Sequence, residues 1–169
     1  MKTHYRAFAR YNAWANRRLY DAAAELTDSE YRADRSAFFK SMHGTLNHLL
    51  TADRVWMHRF TGQGPSPERL DLINHEQLGD LRAARAAEDK RIIDYIDGLT
   101  DSALGGTIRY RRVSTPEEFE QALAPALAHF FNHQTHHRGQ AHSILCSFGR
   151  RGLVLDMLAF QRETEAGKA

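Results

Sequence analysis

The chain has 169 residues, of which 42% are hydrophobic and 26% charged, and its formal net charge is +2. This length suits one domain with a substantial core, so we expect a single domain over residues 1–169. The weak charge, without a long block of Lys or Arg, argues against a nucleic-acid partner. No apolar run approaches a membrane span or a signal-peptide core, and the single cysteine excludes an intramolecular disulfide. We therefore expect a cytoplasmic protein with no membrane partner.

The N-terminal segment predicts a long amphipathic helix from about Lys2 to Glu25. Asn12 borders its apolar stripe, which brings a polar group to the core side. Thr27 and Glu30 then form a capping-box pattern, which predicts a short helical turn. The stripe recurs at helical spacing through His4, Phe8, Tyr11, Ala15, Leu19, Ala22 and Leu26.

A second helix is predicted from about Phe38 to Phe60. Within its stripe Asp53 is the exception, because a carboxylate on an apolar face needs a cation or hydrogen-bond donors nearby. Two histidines lie to either side of the stripe, His48 beside small residues and His43 on the opposite side, and periodicity does not choose between them. The stripe comprises Met42, Leu46, Leu49, Asp53, Trp56 and Phe60.

The third and fourth helices are separated by an irregular segment. The third helix is predicted from about His75 to Asp97, with Gly98 as its terminator. Alternation of apolar and polar residues over 107–113 predicts a short strand or an extended arm. Thr115, followed by proline and two glutamates, has the pattern of a helix start, and Pro125 either kinks this fourth helix or marks its true beginning.

The fourth helix is expected to end near Phe148, with Gly149 as its left-handed cap residue, and a short last helix is predicted from Val154 to Glu163. Four long amphipathic helices with an irregular crossing segment between the third and the fourth predict an all-α protein with the architecture of a four-helix bundle.

Five of the ten histidines lie in the fourth predicted helix. His133 and His137 fall within its apolar stripe, where leucines would be expected. Side chains at this i, i+4 spacing stand one above the other, so the two imidazoles can hold one metal ion, although a third protein ligand is still required. His129, His136 and His142 point away from the stripe and are expected to be dispensable.

Three segments resemble the motifs of the DinB/YfiT-like family of metal-binding four-helix bundles. They are Tyr11–Leu19 (YNAWANRRL), Leu46–Trp56 (LNHLLTADRVW) and Asn132–Gln140 (NHQTHHRGQ). The family's metal ligands are one histidine of the second helix and two of the fourth. The resemblance therefore implies His48, His133 and His137 as the ligands of a divalent transition metal: Zn, Ni or Fe.

The resemblance implies a metal-dependent enzyme of the thiol S-transferase type, acting on a small molecule with a low-molecular-weight thiol. A non-catalytic metal-binding stress-response protein and a metal-dependent hydrolase are the alternatives. No catalytic residue and no cofactor other than the metal is indicated. The resemblance also implies a homodimer, for which Trp14 and Phe131 offer aromatic side chains beyond the stripes.

The polar residues around the histidines carry further expectations. We expect Arg138 to form an ion pair with Asp53 or Asp156. With an ordinary histidine pKa near 6.5, protons should begin to displace the metal below about pH 6. The candidates for hydrogen bonds to the imidazole rings are Asn12, Asn47, Asn132 and Gln140.

Overall fold

The computed structural model describes residues 1–113, 115 and 117–167. This part of the chain is mostly helical, in agreement with the all-α prediction, and none of its helices is long and apolar enough to cross a membrane. The elements are α1 (Lys2–Ala23), α2 (Asp28–Arg32), α3 (Met42–Thr61), α4 (Leu78–Gly98), α5 (Asp101–Leu104), β1 (Thr107–Arg111), β2 (Glu118–Ala122), α6 (Leu123–Ser147) and α7 (Met157–Glu165).

The four long helices enclose a common interior. Helix α1 packs against α4 and α6, and α3 packs against the same two helices. The apolar stripes of α1 and α3 account for much of this packing, because most of their residues are buried, although His4 at the start of α1 is exposed. The predicted capping box is also confirmed: Thr27 accepts from the backbone N–H of Glu30, whose carboxylate accepts from the backbone N–H of Thr27.

Polar side chains separate the two larger hydrophobic clusters of the interior, and each of the four long helices contributes to this polar layer. Its centre is Arg85, which donates to Asp53 at 2.6 Å and lies 3.1 Å from Asp89. The expected cation beside Asp53 is therefore confirmed. The layer comprises Asn12 and Asn16 of α1, Asp53 of α3, Arg85 and Asp89 of α4, and Gln134 and Arg138 of α6.

Arg138 binds within this layer in a way that the sequence did not indicate. Its guanidinium donates to the side-chain oxygen of Asn12 and lies over the ring of Tyr11, 5.2 Å from the ring centroid. The predicted ion pair with Asp53 or Asp156 is wrong, because Arg85 already occupies the carboxylate of Asp53.

Helix α3 begins four residues later than predicted. Ser36 and Lys40 adopt left-handed backbone conformations, with φ of 57° and 65°, and the chain turns between them. Ser41 then caps the helix by accepting from the backbone N–H of Gly44. Phe38 is consequently exposed, whereas Phe39 packs onto a ring of α3.

The predicted strand is confirmed as β1, but the helix start predicted at Thr115 is wrong. Residues Glu118–Ala122 instead form β2, which pairs antiparallel with β1. Cross-strand ion pairs Arg109–Glu120, at 2.6 Å, and Arg111–Glu118, at 2.7 Å, support this pairing. Helix α6 begins only at Leu123, so Pro125 lies in its first turn. Pro116, part of the predicted start, lies outside the described residues.

The helix ends match the predictions in part. Gly149 has a φ of 80° just after α6, as expected. Gly98 does not terminate α4 but forms its last residue. The last helix, α7, covers α1 through Phe160, whose ring packs on Trp14. Trp14 and Phe131 are both buried, so neither is available at the surface for a dimer contact.

Candidate metal centre

The structure brings His48, His133 and His137 together between α3 and α6. The Nε2 atom of His137 lies 3.2 Å from Nε2 of His48 and 3.1 Å from Nε2 of His133. One nitrogen of each ring lies within 4.8 Å of the others, which is compact enough for a shared ion. All three predicted residues therefore converge.

Hydrogen bonds on the far side of the rings determine which nitrogens face the centre without a proton. Nδ1 of His48 lies 2.8 Å from the carbonyl oxygen of Leu70, which can only accept, so this nitrogen carries the proton. Nδ1 of His137 likewise donates to Oε1 of Gln140 at 2.8 Å. In the neutral rings, the Nε2 atoms of His48 and His137 therefore present lone pairs to one another.

The facing lone pairs of these two Nε2 atoms, 3.2 Å apart, cannot form a hydrogen bond because neither nitrogen carries a proton. A cation between them would bind both lone pairs. Nitrogens that share a tetrahedral zinc ion at about 2.0–2.1 Å stand about 3.4 Å apart. The two short separations in the cluster are close to that value. The donor set and its spacing thus fit a divalent transition metal ion.

Burial keeps the three rings neutral. Desolvation, opposed by the Leu70 carbonyl, lowers the pKa of His48 to about 4. Desolvation and the neighbouring histidines lower the pKa of His133 to about 3. Burial also lowers the pKa of His137, although Gln140 opposes the shift. At neutral pH the rings are therefore in the form that binds metal.

Two of the contacts that hold the rings were not predicted from the sequence. Phe39 stacks on His48 with ring centroids 3.7 Å apart, and the Leu70 carbonyl orients the same ring. Both come from loops, whose path no local pattern in the sequence indicates. Among the predicted partners, only Gln140 contacts one of the three rings.

The other predicted partners have different roles. Asn47 accepts from the backbone N–H groups of Asn74 and His75 and so fastens the loop that precedes α4. Asn12 lies in the polar layer, where it donates to Asp89 at 3.3 Å. Asn132 is exposed. The expectation that these three asparagines orient the rings is therefore wrong.

The remaining histidines named by the sequence lie outside the cluster. His43 is buried, but its Nε2 lies 3.2 Å from the carbonyl oxygen of His75, on a different side of α3. His129 and His136 flank the cluster on the exposed side of α6, and His142 lies on the far side of the helix, at a separate cavity. Of the two histidines of α3, His48 therefore lies in the cluster and His43 does not.

A cavity of about 800 Å³ opens beside the cluster, and His133 forms part of its wall. Aromatic side chains line it, chiefly Trp56 of α3, Tyr110 of β1 and Phe119 of β2. We call this the aromatic pocket. A second cavity, of about 630 Å³ between α1 and α6, does not include the three histidines.

Comparisons with known proteins place the chain in a family. The model of the DinB family matches residues 1–168. The protein DinB of Bacillus subtilis (strain 168) is 24% identical, and the match covers 92% of this chain and 93% of that relative. Because the family model spans nearly the whole chain, the chain belongs to the DinB family.

Proposed function

We propose that His48, His133 and His137 bind one divalent transition metal ion, which is Zn, Ni or Fe. The observation that carries this proposal is the convergence of three imidazoles in a largely buried cluster, where a cation would satisfy the facing lone pairs of His48 and His137. Membership of the DinB family supports the same assignment, and with it the four-helix bundle as the architecture of a single domain.

We further propose that the protein is a metal-dependent enzyme of the thiol S-transferase type. When bound, an ion held by three imidazoles lowers the pKa of a water or a thiol beside it. The chain supplies the remaining requirements. Leu70 and Gln140 fix the ring orientations, Phe39 covers one ring, and the aromatic pocket next to His133 provides space for an organic substrate.

Metal content tests the first proposal. Purified protein, stripped with a chelator and reloaded, should contain about one metal ion per chain, and His137→Ala should lose most of it. The matched control is His142→Ala, which alters another histidine of α6 away from the cluster. Equal loading of the wild type and His137→Ala would show that the ligands are wrongly assigned.

A thiol-transfer screen tests the enzymatic proposal. The reloaded protein is incubated with a low-molecular-weight thiol and a small electrophile, and thioether formation is followed with and without chelator. Turnover that disappears on chelation supports the transferase. Metal binding without thiol turnover would instead favour the alternatives, a non-catalytic stress-response protein or a metal-dependent hydrolase; ester and amide substrates separate these two.

We also propose a homodimer, for which the exposed apolar side chains Phe38 and Leu158 offer contact surface. Light scattering at micromolar protein concentration should give about twice the mass of the chain. A mass equal to that of one chain would refute the dimer.

A further inference from the structure

The aromatic pocket contains a guanidinium that no carboxylate of residues 1–113, 115 and 117–167 neutralises. Arg59 of α3 is half-buried and lies between two rings, 4.6 Å from the centroid of Trp56 and 4.4 Å from that of Tyr110. In the described part of the chain, its hydrogen bond goes to the backbone carbonyl of Arg111 at 3.3 Å, and no acidic side chain pairs with it.

The other arginines of the pocket are already paired. Arg69 donates two hydrogen bonds to Asp71, at 3.0 and 2.7 Å, and Arg112 lies 3.7 Å from the carboxylate of Glu117. Both are exposed at the rim. Glu68, also exposed, is the remaining acidic residue of the lining. Among the arginines that the structure describes in this lining, Arg59 is therefore the one available to a ligand.

Burial of an unpaired guanidinium costs free energy unless an anion binds to it. Desolvation lowers the pKa of Arg59, which reflects that cost. The two flanking rings offset part of it by cation–π attraction, and they also hold the guanidinium plane in position. A planar guanidinium held this way suits a carboxylate, which it can bind with two parallel hydrogen bonds.

The pocket leads from Arg59 to the histidines along one face of α3. Positions 48, 52, 55 and 59 follow helical spacing, and Ala52 and Val55 leave room between the two ends. The Cα atoms of His48 and Arg59 are about 16 Å apart at the helical rise of 1.5 Å per residue. The side chain of Arg59 leans toward the N-terminus of α3 and so shortens the gap between the two ends. A ligand in extended form can therefore contact Arg59 and approach the cluster.

We propose that the aromatic pocket binds an extended organic carboxylate, with the carboxylate on Arg59 and the apolar chain between the aromatic rings and His133. The other end of such a ligand would lie at the three histidines, and that it is the group that reacts there rests on the proposed function. The carboxylate site itself depends only on the pocket.

A matched pair of ligands tests this inference. The thiols 6-mercaptohexanoate and 6-mercaptohexanol have the same chain and differ in the terminal group. Binding to metal-loaded protein is followed by fluorescence, because Trp56 lines the pocket and the other tryptophan, Trp14, lies beneath α7. We expect the carboxylate to bind about tenfold more tightly than the alcohol, as a charge-assisted hydrogen bond would give.

Variants assign the preference to Arg59. Arg59→Met keeps the apolar stem but removes the charge, so the preference should fall to within about twofold. Arg59→Lys keeps the charge and should retain part of the preference. Arg112→Met, which removes a paired charge at the rim of the same pocket, should retain most of it. Circular dichroism confirms that each variant is folded.

The outcomes separate this inference from the metal proposal. The titrations are repeated in chelator-treated protein with hexanoate and hexanol, which lack the thiol. Loss of the preference in Arg59→Met under these conditions supports the carboxylate site whether or not metal binds. Equal binding of both ligands by the wild type, binding of neither, or an unchanged preference in Arg59→Met overturns it, even where metal loading is intact.

Discussion

Lowering the pH of the metal-free protein should cost a calculable part of its stability through the buried histidines. The folded pKa values of His48 and His133 are about 4 and about 3, whereas an unfolded histidine titrates near 6.5. Below pH 6.5 the unfolded chain therefore binds more protons than the folded chain. Stability is retained at pH 7.5, falls as the pH drops through 6.5, and stops falling only near the folded pKa values.

At pH 5.5 the folded rings are still neutral, so the cost depends on the unfolded pKa alone. Each of these two rings then costs about 1.4 kcal/mol relative to pH 7.5, or about 2.7 kcal/mol together. The assay is urea unfolding of chelator-treated protein at both pH values, followed by circular dichroism. The variant His133→Gln removes one titrating ring, so its stability should fall by about 1.4 kcal/mol less than that of the wild type.

The comparison with the variant removes the contribution of all other titrating groups, which the two proteins share. His4→Gln changes an exposed histidine of α1 and should keep the wild-type pH dependence. If the wild type and His133→Gln lose the same free energy between pH 7.5 and 5.5, the ring of His133 is not buried in neutral form and the reasoning fails.

Three further predictions concern the metal and the polar layer. His48→Ala should lose bound metal in elemental analysis, whereas His43→Ala, whose ring contacts the carbonyl of His75, should keep it. Because the pKa values of His48 and His133 in the folded chain lie near 4 and 3, the expectation from an ordinary histidine pKa is revised: the difference in melting temperature between metal-loaded and metal-free protein should persist at pH 5.5 and narrow only below about pH 5, not below about pH 6. Arg85→Met leaves two buried carboxylates without their cation and should cost about 3–5 kcal/mol in urea unfolding, whereas Lys90→Met, at an exposed ion pair on the same helix, should cost less than about 1 kcal/mol.

Local periodicity was sufficient for the four long helices, apart from some of their ends, and for two of the three residues of the candidate metal centre. His133 and His137 could be assigned because spacing within one helix determines their relative position. The same spacing could not choose between His43 and His48, since both are buried and differ in what each ring faces: the loop before α4 for His43 and helix α6 for His48. The family motif made that choice, and the structure agrees with it.

The features that sequence reasoning missed depend on contacts between distant residues. The strand β2 replaces a predicted helix start because its partner, β1, offers hydrogen bonds and two opposite charges across the ladder. The partner of Arg138 was misassigned because the alternative cation for Asp53, Arg85, is 32 positions further along the chain. The ring of Phe39 reaches His48 only through a turn that the apolar stripe does not reveal.

The polar layer has a consequence for how the helices align. A slide of α3 by one turn against α4 would place Leu49 or Met57 opposite Arg85, which would then face apolar groups instead of a carboxylate. The same slide would carry His48 about 5.4 Å along the helix axis, out of reach of the pair on α6. We infer that the ion pair of Asp53 and Arg85 fixes the alignment of α3 against α4. That alignment is the one in which the three imidazoles meet.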